Sequence, residues 1–231
     1  MPSYVIHLSC AKRILELAGG TLTKQDENLF YLGNMIADMC KDKRTTHFWD
    51  DETYPLLARR PNLSLFLEKY GAYMQEPYVR GYYAHLFLDR MFLDTYWEKH
   101  FRFYGVDKNP EKRYTEVAYV EIVEKNKVYD RKEFFSKALY YGDYDAMNGY
   151  FAEKYRVRFP DLSLSGDAWT HVHRIREIDW TYAPEAVANA KKLLASGIRR
   201  KMGEIEAELR VFELPELEAM VEHAAKKLAD T

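Results

Sequence analysis

Cysteine is scarce in this chain: two residues, Cys10 and Cys40, among 231. Each sits in an apolar, helix-like context and no CxxC pair exists, so a thiolate zinc site is excluded. The two read as reduced core residues, and the sequence alone is also compatible with a disulfide between them. Long apolar runs are missing too, so no segment is expected to span a bilayer. From Met1 to His7 there is no basic stretch ahead of an apolar run, which predicts no secretory signal and a cytoplasmic protein. Neither charge dominates: 34 Lys and Arg against 36 Asp and Glu leave a net −2. That balance gives no polyanion-binding surface, so nucleic acid is not expected as a stable partner. Phosphate-cradling glycine loops, a nucleophile elbow and the helical His-Glu-x-x-His pair are all absent. So are the adjacent His-Asp pair of the HD phosphohydrolases and the Glu-x-x-His signature of a di-iron bundle.

What is abundant is helix-forming apolar pattern. The chain is 47% hydrophobic and 15% aromatic, with 19 tyrosines, enough for a substantial core and one domain. Apolar residues recur at helical spacing from Tyr4 to Ala18, and Gly19-Gly20 ends that run. Thr23 or Asp26 caps a second helix carrying Leu29, Phe30, Gly33, Ile36 and Ala37 on its inner side. Pro61-Asn62 breaks the chain before an amphipathic helix over about 63–74. The most apolar stretch, Tyr78 to His100, reads as the central helix. In the middle, Val117 to Val123 alternates and Lys125-Asn126-Lys127 resembles a turn, suggesting a short hairpin. Asp130 with Glu133 forms a capping pair for a helix to Tyr141, which Gly142 separates from another over about 145–155. Residues 159–166 read as loop, and 183–202 and 214–229 as two C-terminal helices. The expected architecture is all-α: a multi-helix bundle with an elaborated middle. Within one domain, 1–105 forms a metal-binding core, 106–180 the elaborated segment and 181–231 the C-terminal helices.

The chemistry concentrates in the first ninety residues. In Gly81-Tyr-Tyr-Ala-His85-Leu-Phe-Leu-Asp89, His85 and Asp89 are one turn apart on the same face of an apolar helix. A buried carboxylate is costly unless it is paired, hydrogen-bonded or bound to metal. Taken alone, this pair reads equally well as a private hydrogen bond or as two metal ligands. His7 falls in register with Ala11 and Ala18, Asp38 closes the apolar run from Phe30, and His47 lies between large aromatics in Thr46-His47-Phe48-Trp49. Singly each is ordinary. Together they offer five nitrogen and oxygen donors in a helical bundle, suited to zinc and also to iron, manganese or nickel.

The order His7, Gly33 to Asp38, His47-Phe48, then Gly81 to His85-x-x-x-Asp89 resembles the zinc-dependent phospholipase C family and its related nucleases. Within that family it is most similar to the intracellular bacterial branch that begins Met-Pro and carries a His-Phe-x-Asp loop. The resemblance covers about the first hundred residues and touches again on Tyr140 to Asp145. It implies that Asp38, His47, His85 and Asp89 hold one zinc, that Asp89 bridges to a further metal, and that His7 is a ligand of that metal. It also implies a role for Asp38 in orienting or deprotonating the attacking water. The secreted relatives use an N-terminal tryptophan amine and a later His-x-x-x-Glu helix as further ligands. This chain has Met1-Pro2, and Phe92-Leu93-Asp94 where the next family histidine falls. Its one His-x-x-x-Glu is His173 to Glu177; those two residues and Asp145 are the candidates for extra ligands. One or two ions are therefore expected. The implied activity is metal-dependent hydrolysis of a small phosphoester, above all a phosphodiester. The rival reading is a non-catalytic, metal-stabilised helical domain or interaction module with a degenerate site.

Overall fold

A computed structural model describes residues 2–20, 22–164, 166–195, 202–206 and 208–229. Helix α1 (Tyr4–Leu17) starts at Ser3, whose hydroxyl accepts from the Ile6 amide, and α2 (Lys24–Ile36) starts at Thr23, which accepts from Asp26. Both caps satisfy amide donors that a helix start leaves without partners. A 3₁₀ turn, Ala37–Met39, tightens the end of α2, and a short helix α3 (Lys43–Thr46) follows, capped by Asp42. Helix α4 (Leu63–Tyr70) is capped by Asn62, and α5 (Pro77–Met91) has its proline in the first turn, where the missing amide costs nothing.

Helices α2 and α5 pack so closely that only glycine fits where they cross. A Cβ on Gly33 would lie 1.9 Å from the Tyr78 carbonyl oxygen, and one on Gly81 would lie 2.0 Å from that of Phe30. This reciprocal contact sets the depth at which α5 sits against α2, and with it the position of His85 one turn further on. The helical run continues through a π-turn, Phe92–Trp97, into α6 (Glu98–His100), so the expected central helix is one nearly continuous rod.

The chain is mostly helical, as expected, and the middle segment adds a small sheet with one strand more than the expected hairpin. Strands β1 (Phe101–Tyr104), β2 (Tyr119–Ile122) and β3 (Lys127–Asp130) form an antiparallel sheet in that order, with Phe103 opposite Val120 and Val120 opposite Tyr129. The β2–β3 hairpin follows the alternation in the sequence. Strand β1 is only four residues long and directly follows a helix, so its period is too short to read. The expected helix over 130–141 is also corrected. Asp130 does cap α7, but α7 (Arg131–Phe134) is a single turn, and α8 (Tyr140–Lys154) begins before Gly142. Gly142 is no separator: a Cβ there would meet the Lys137 carbonyl oxygen at 2.2 Å, so glycine allows the preceding loop to fold onto the helix.

Residues 159–164 carry no regular structure, and α9 (Ala168–Val172) follows. The expected helix over 183–202 is observed as α10 (Ala183–Ala195), then α11 (Met202–Glu206); residues 196–201 lie outside those described. Helix α12 (Leu214–Ala229) buries Leu217, Val221, Ala224 and Leu228. One cluster of buried apolar side chains runs from Val5 to Leu228. Both cysteines are buried and free. No helix among the described residues is long and apolar enough to cross a membrane.

Candidate metal centre

Four elements deliver five polar side chains to one point in this core. Helix α1 contributes His7, the 3₁₀ turn Asp38, the residue after α3 His47, and α5 both His85 and Asp89. His7, His47, His85 and Asp89 are fully buried, and Asp38 is 7% exposed. His47 is placed by a strained step in the chain: Phe48, next to it, has φ +57° and packs its ring on Phe66 and Tyr82. The Tyr82 hydroxyl donates to the Thr46 carbonyl at 2.6 Å, pinning the same turn to α5.

The tautomer of His85 follows from its neighbours. Its Nδ1 lies 2.8 Å from the Asn34 carbonyl oxygen, which can only accept, so Nδ1 carries the proton. In the neutral ring the Nε2 lone pair is then free, and it points at His47 Nε2 at 3.3 Å and at Asp89 Oδ2 at 3.5 Å. His47 Nε2 is in turn 3.3 Å from Asp89 Oδ2 and 3.5 Å from Asp38 Oδ1. These four separations, 3.3 to 3.5 Å, share one pattern. A tetrahedral ion about 2.0–2.2 Å from each nitrogen or oxygen donor sets neighbouring donors about 3.3–3.6 Å apart. Asp38, His47, His85 and Asp89 thus have the donor types of a zinc site, and the four separations among them match those between neighbouring ligands of such an ion.

The other carboxylate oxygen faces away from that point. Asp89 Oδ1 lies 3.2 Å from His7 Nε2, and the His7 ring stacks on His85 with centroids 3.8 Å apart. Neither oxygen of Asp89 and neither nitrogen of His7 has a hydrogen bond of acceptable direction. Buried polar atoms are rarely left so. His7 and Asp89 would hold a divalent ion through these atoms, which would satisfy one atom of each residue. His85 is close enough to join them: one donor atom from each of His7, His85 and Asp89 lies within 4.8 Å of the others.

Electrostatics agree with a ligand set that is ready to bind. Burial, aided by the neighbouring His85, lowers the His7 pKa to about 4, so His7 is neutral at physiological pH, as a metal ligand must be. Burial pushes the Asp89 carboxyl up, but the surrounding histidines, His7 foremost, outweigh it and hold the group ionised. Asp38 behaves alike: burial opposes its charge, and the Lys43 ammonium, with His85 and His47, more than reverses this. Lys43 Nζ donates to Asp38 Oδ1 at 2.6 Å. For His85 burial lowers the pKa, and the neighbouring Asp89 carboxylate outweighs it and carries the group above its ordinary value.

The three additional candidates are not part of the cluster. Asp145 is exposed and paired with Lys137. His173 is exposed, with Nδ1 2.8 Å from the Trp169 carbonyl oxygen. Glu177 accepts from Lys69 at 2.9 Å and from the Tyr70 hydroxyl. Each is satisfied elsewhere because the elaborated segment packs its acids and histidine against surface partners. Asp94, in the family's next ligand position, is paired with Arg60 and Arg90.

Asp38 connects the centre to a cavity of about 990 Å³ lined by Lys43, Trp49, Trp97, Tyr114, Tyr140 and Tyr144, among others. Trp49 and tyrosines of the middle segment line this space, and Phe48 packs into the core. Lys43 and the Asn34 carbonyl escaped the reading of the sequence. A lysine in a polar connection looks like any solvated charge, and a backbone carbonyl leaves no residue signal at all. Comparison with protein-family models, with curated proteins and with solved structures found no match for this chain.

Proposed function

We propose that the chain is a metal-dependent hydrolase of a small phosphoester, a phosphodiester above all. The observation that carries this reading is the set of four buried nitrogen and oxygen donors linked by separations of 3.3 to 3.5 Å, one of which, Asp38, also lines the cavity. Zinc suits the donor set best, and manganese, iron and nickel accept the same donors. A divalent ion held there would supply Lewis-acid chemistry, drawing charge from a phosphoryl oxygen and acidifying water. The protein's own part is legible in its residues. Asn34 fixes the His85 tautomer, Asp89 would help to hold the metal, and Asp38 would orient water at the cavity wall. Lys43, ion-paired with Asp38, holds that carboxylate in place at the cavity wall. The resemblance of these residues to the zinc-dependent phospholipase C family supports the same reading.

A second reading is favoured by one observation. Asp38, His47, His85 and Asp89 together offer four protein donors, and closed sites of four protein ligands are structural. In that case the centre stabilises a helical domain that binds partners and turns nothing over. Asp38→Asn separates the two. The variant keeps size and one oxygen donor but loses the charge, so metal affinity falls modestly. Hydrolysis of bis(4-nitrophenyl) phosphate with saturating metal should fall about 10²-fold or more if Asp38 serves the water. A wild type inactive on mono- and diesters alike leaves the structural reading standing. Full activity in the variant removes Asp38 from the chemistry.

A further inference from the structure

The cavity beside Asp38 carries more positive charge than the candidate metal centre explains. Its walls include Lys43, Arg59, Arg131 and Lys132 against only Asp38 and Asp130. Lys43 is committed to Asp38. Arg59 and Arg131 are different: the hydrogen bonds described for them go to carbonyl oxygens, from Arg59 Nε to Leu56 at 3.0 Å and from Arg131 Nη1 to Tyr114. Among the described residues neither has a carboxylate at ion-pair distance. Arg60, by contrast, is paired with Asp94 and Glu98, and Arg174 with Glu76.

Both free guanidiniums lie over one ring. Arg59 is 4.7 Å and Arg131 4.1 Å from the centroid of Tyr114. Arg59 also touches Trp49, at 5.3 Å, and Tyr54, at 5.1 Å. Both arginines are partly buried, so water screens their mutual repulsion less than at an open surface. The backbone enforces the arrangement. Tyr114 N donates to Pro55 O and Leu57 N to Lys112 O, each at 2.8 Å, which clips the Arg59 loop to the Tyr114 segment. Arg131 N donates to Ala118 O at 2.9 Å, which holds the start of α7 beside the same segment. Two planar forks are therefore held in place on an aromatic support with most of their N–H donors uncommitted. Such forks match the oxygens of a phosphate or a carboxylate.

We infer that Arg59, Tyr114 and Arg131 form an anion subsite, which takes a second anionic group of the small molecule whose phosphoester meets the metal centre. The subsite rests on the arginines alone; the substrate class rests on the proposed hydrolase activity. That class is a phosphoester bearing one further fixed negative charge, phosphate or carboxylate, on a body that suits the aromatic walls of the cavity.

Two measurements test this, and they fail separately. In the first, inorganic phosphate is titrated calorimetrically into chelator-treated protein, so that no metal takes part. Wild type binds phosphate. Arg59→Gln and Arg131→Gln each weaken binding about tenfold or more, the scale of a lost charge-assisted bond. Arg131→Lys, which keeps the charge and loses the fork, falls between, and Arg60→Gln, whose arginine is already paired, binds as wild type does. No phosphate binding by wild type, or equal binding by wild type and both glutamine variants, overturns the subsite. In the second, zinc-loaded protein is offered two 4-nitrophenyl phosphodiesters, one of ethanol and one of 3-hydroxypropanoate. Wild type should favour the carboxylate-bearing ester in kcat/KM by about tenfold, and both glutamine variants should lose that preference. Equal use of the two esters by wild type overturns the substrate class. Hydrolysis of neither overturns the hydrolase reading instead, while the phosphate titration still decides the subsite.

Discussion

Asp89→Asn removes a single charge from a carboxylate whose two oxygens face three imidazoles, at 3.2 Å from His7, 3.3 Å from His47 and 3.5 Å from His85. If an ion sits among these groups, it stabilises the fold by mass action. At a free concentration 100 times its Kd that amounts to about 2.7 kcal/mol. For a chain of this size each kcal/mol moves Tm by about 2–4 °C, so zinc should raise the wild-type Tm by about 5–10 °C. Asparagine has one oxygen and no charge, and it cannot serve both ion positions. Loss of an outer partner to a metal ligand already costs about 10–100-fold in affinity, so loss of the carboxylate itself should cost about 100-fold or more. The same zinc concentration then equals the variant's Kd, and stabilisation shrinks to about 0.4 kcal/mol, or a Tm rise near 1 °C. A private His–Asp network without metal predicts the reverse pattern. Zinc would leave both proteins unchanged, and the variant would lose about 3–5 kcal/mol in chelator and zinc alike, the usual penalty for breaking a buried pair. Scanning calorimetry with and without zinc, together with elemental analysis expected to find one to two ions per chain, reads the difference. A wild-type Tm unmoved by zinc, manganese, iron and nickel would refute the metal centre.

Gly81→Ala would drive a Cβ into the Phe30 carbonyl, so it should destabilise by about 3 kcal/mol or more in denaturant titration and weaken zinc binding through His85; wild-type stability would sink the argument for the crossing. His7, whose pKa is lowered to about 4 from an ordinary value of 6.5, binds its proton more readily in the unfolded chain. Its contribution to stability is therefore complete above pH 6.5 and lost as pH falls toward 4, by roughly 3 kcal/mol at most. Chelator-treated His7→Gln should show a correspondingly flatter loss of stability over that window, and an unchanged slope would exclude a neutral buried His7. Asp143 accepts from the buried Val211 and Phe212 amides at 2.7 and 3.1 Å, so Asp143→Ala should cost about 2–4 kcal/mol by orphaning them. Zinc stoichiometry measured on the same variant should not change.

Much of the helical frame was legible because its signals are local. Thr23 and Asp130 cap the helices that follow them, Pro61-Asn62 marks the break before α4, and the bounds of α12 were readable from its apolar spacing. His85 and Asp89 could be paired from sequence since a helix of period 3.6 puts positions four apart on one face. The joining of His7, Asp38 and His47 to that pair rested on a family resemblance, because no local rule links an α1 residue to a turn some thirty positions later. Tertiary packing decided the rest. Strand β1 exists because β2 offers it hydrogen-bond partners, not because four residues declare a period. Gly142 lies inside a helix because a loop carbonyl needs the space. Asp145, His173 and Glu177 have the side chains of metal ligands, and only folding shows that lysine, tryptophan and tyrosine partners hold them elsewhere. The sequence alone determined which donors were available and which could share a helix face. The distances of 3.3 to 3.5 Å that link four of them depend on how far α5 sinks against α2. That depth is set by two glycines touching backbone across the crossing, a contact with no counterpart in the linear chain.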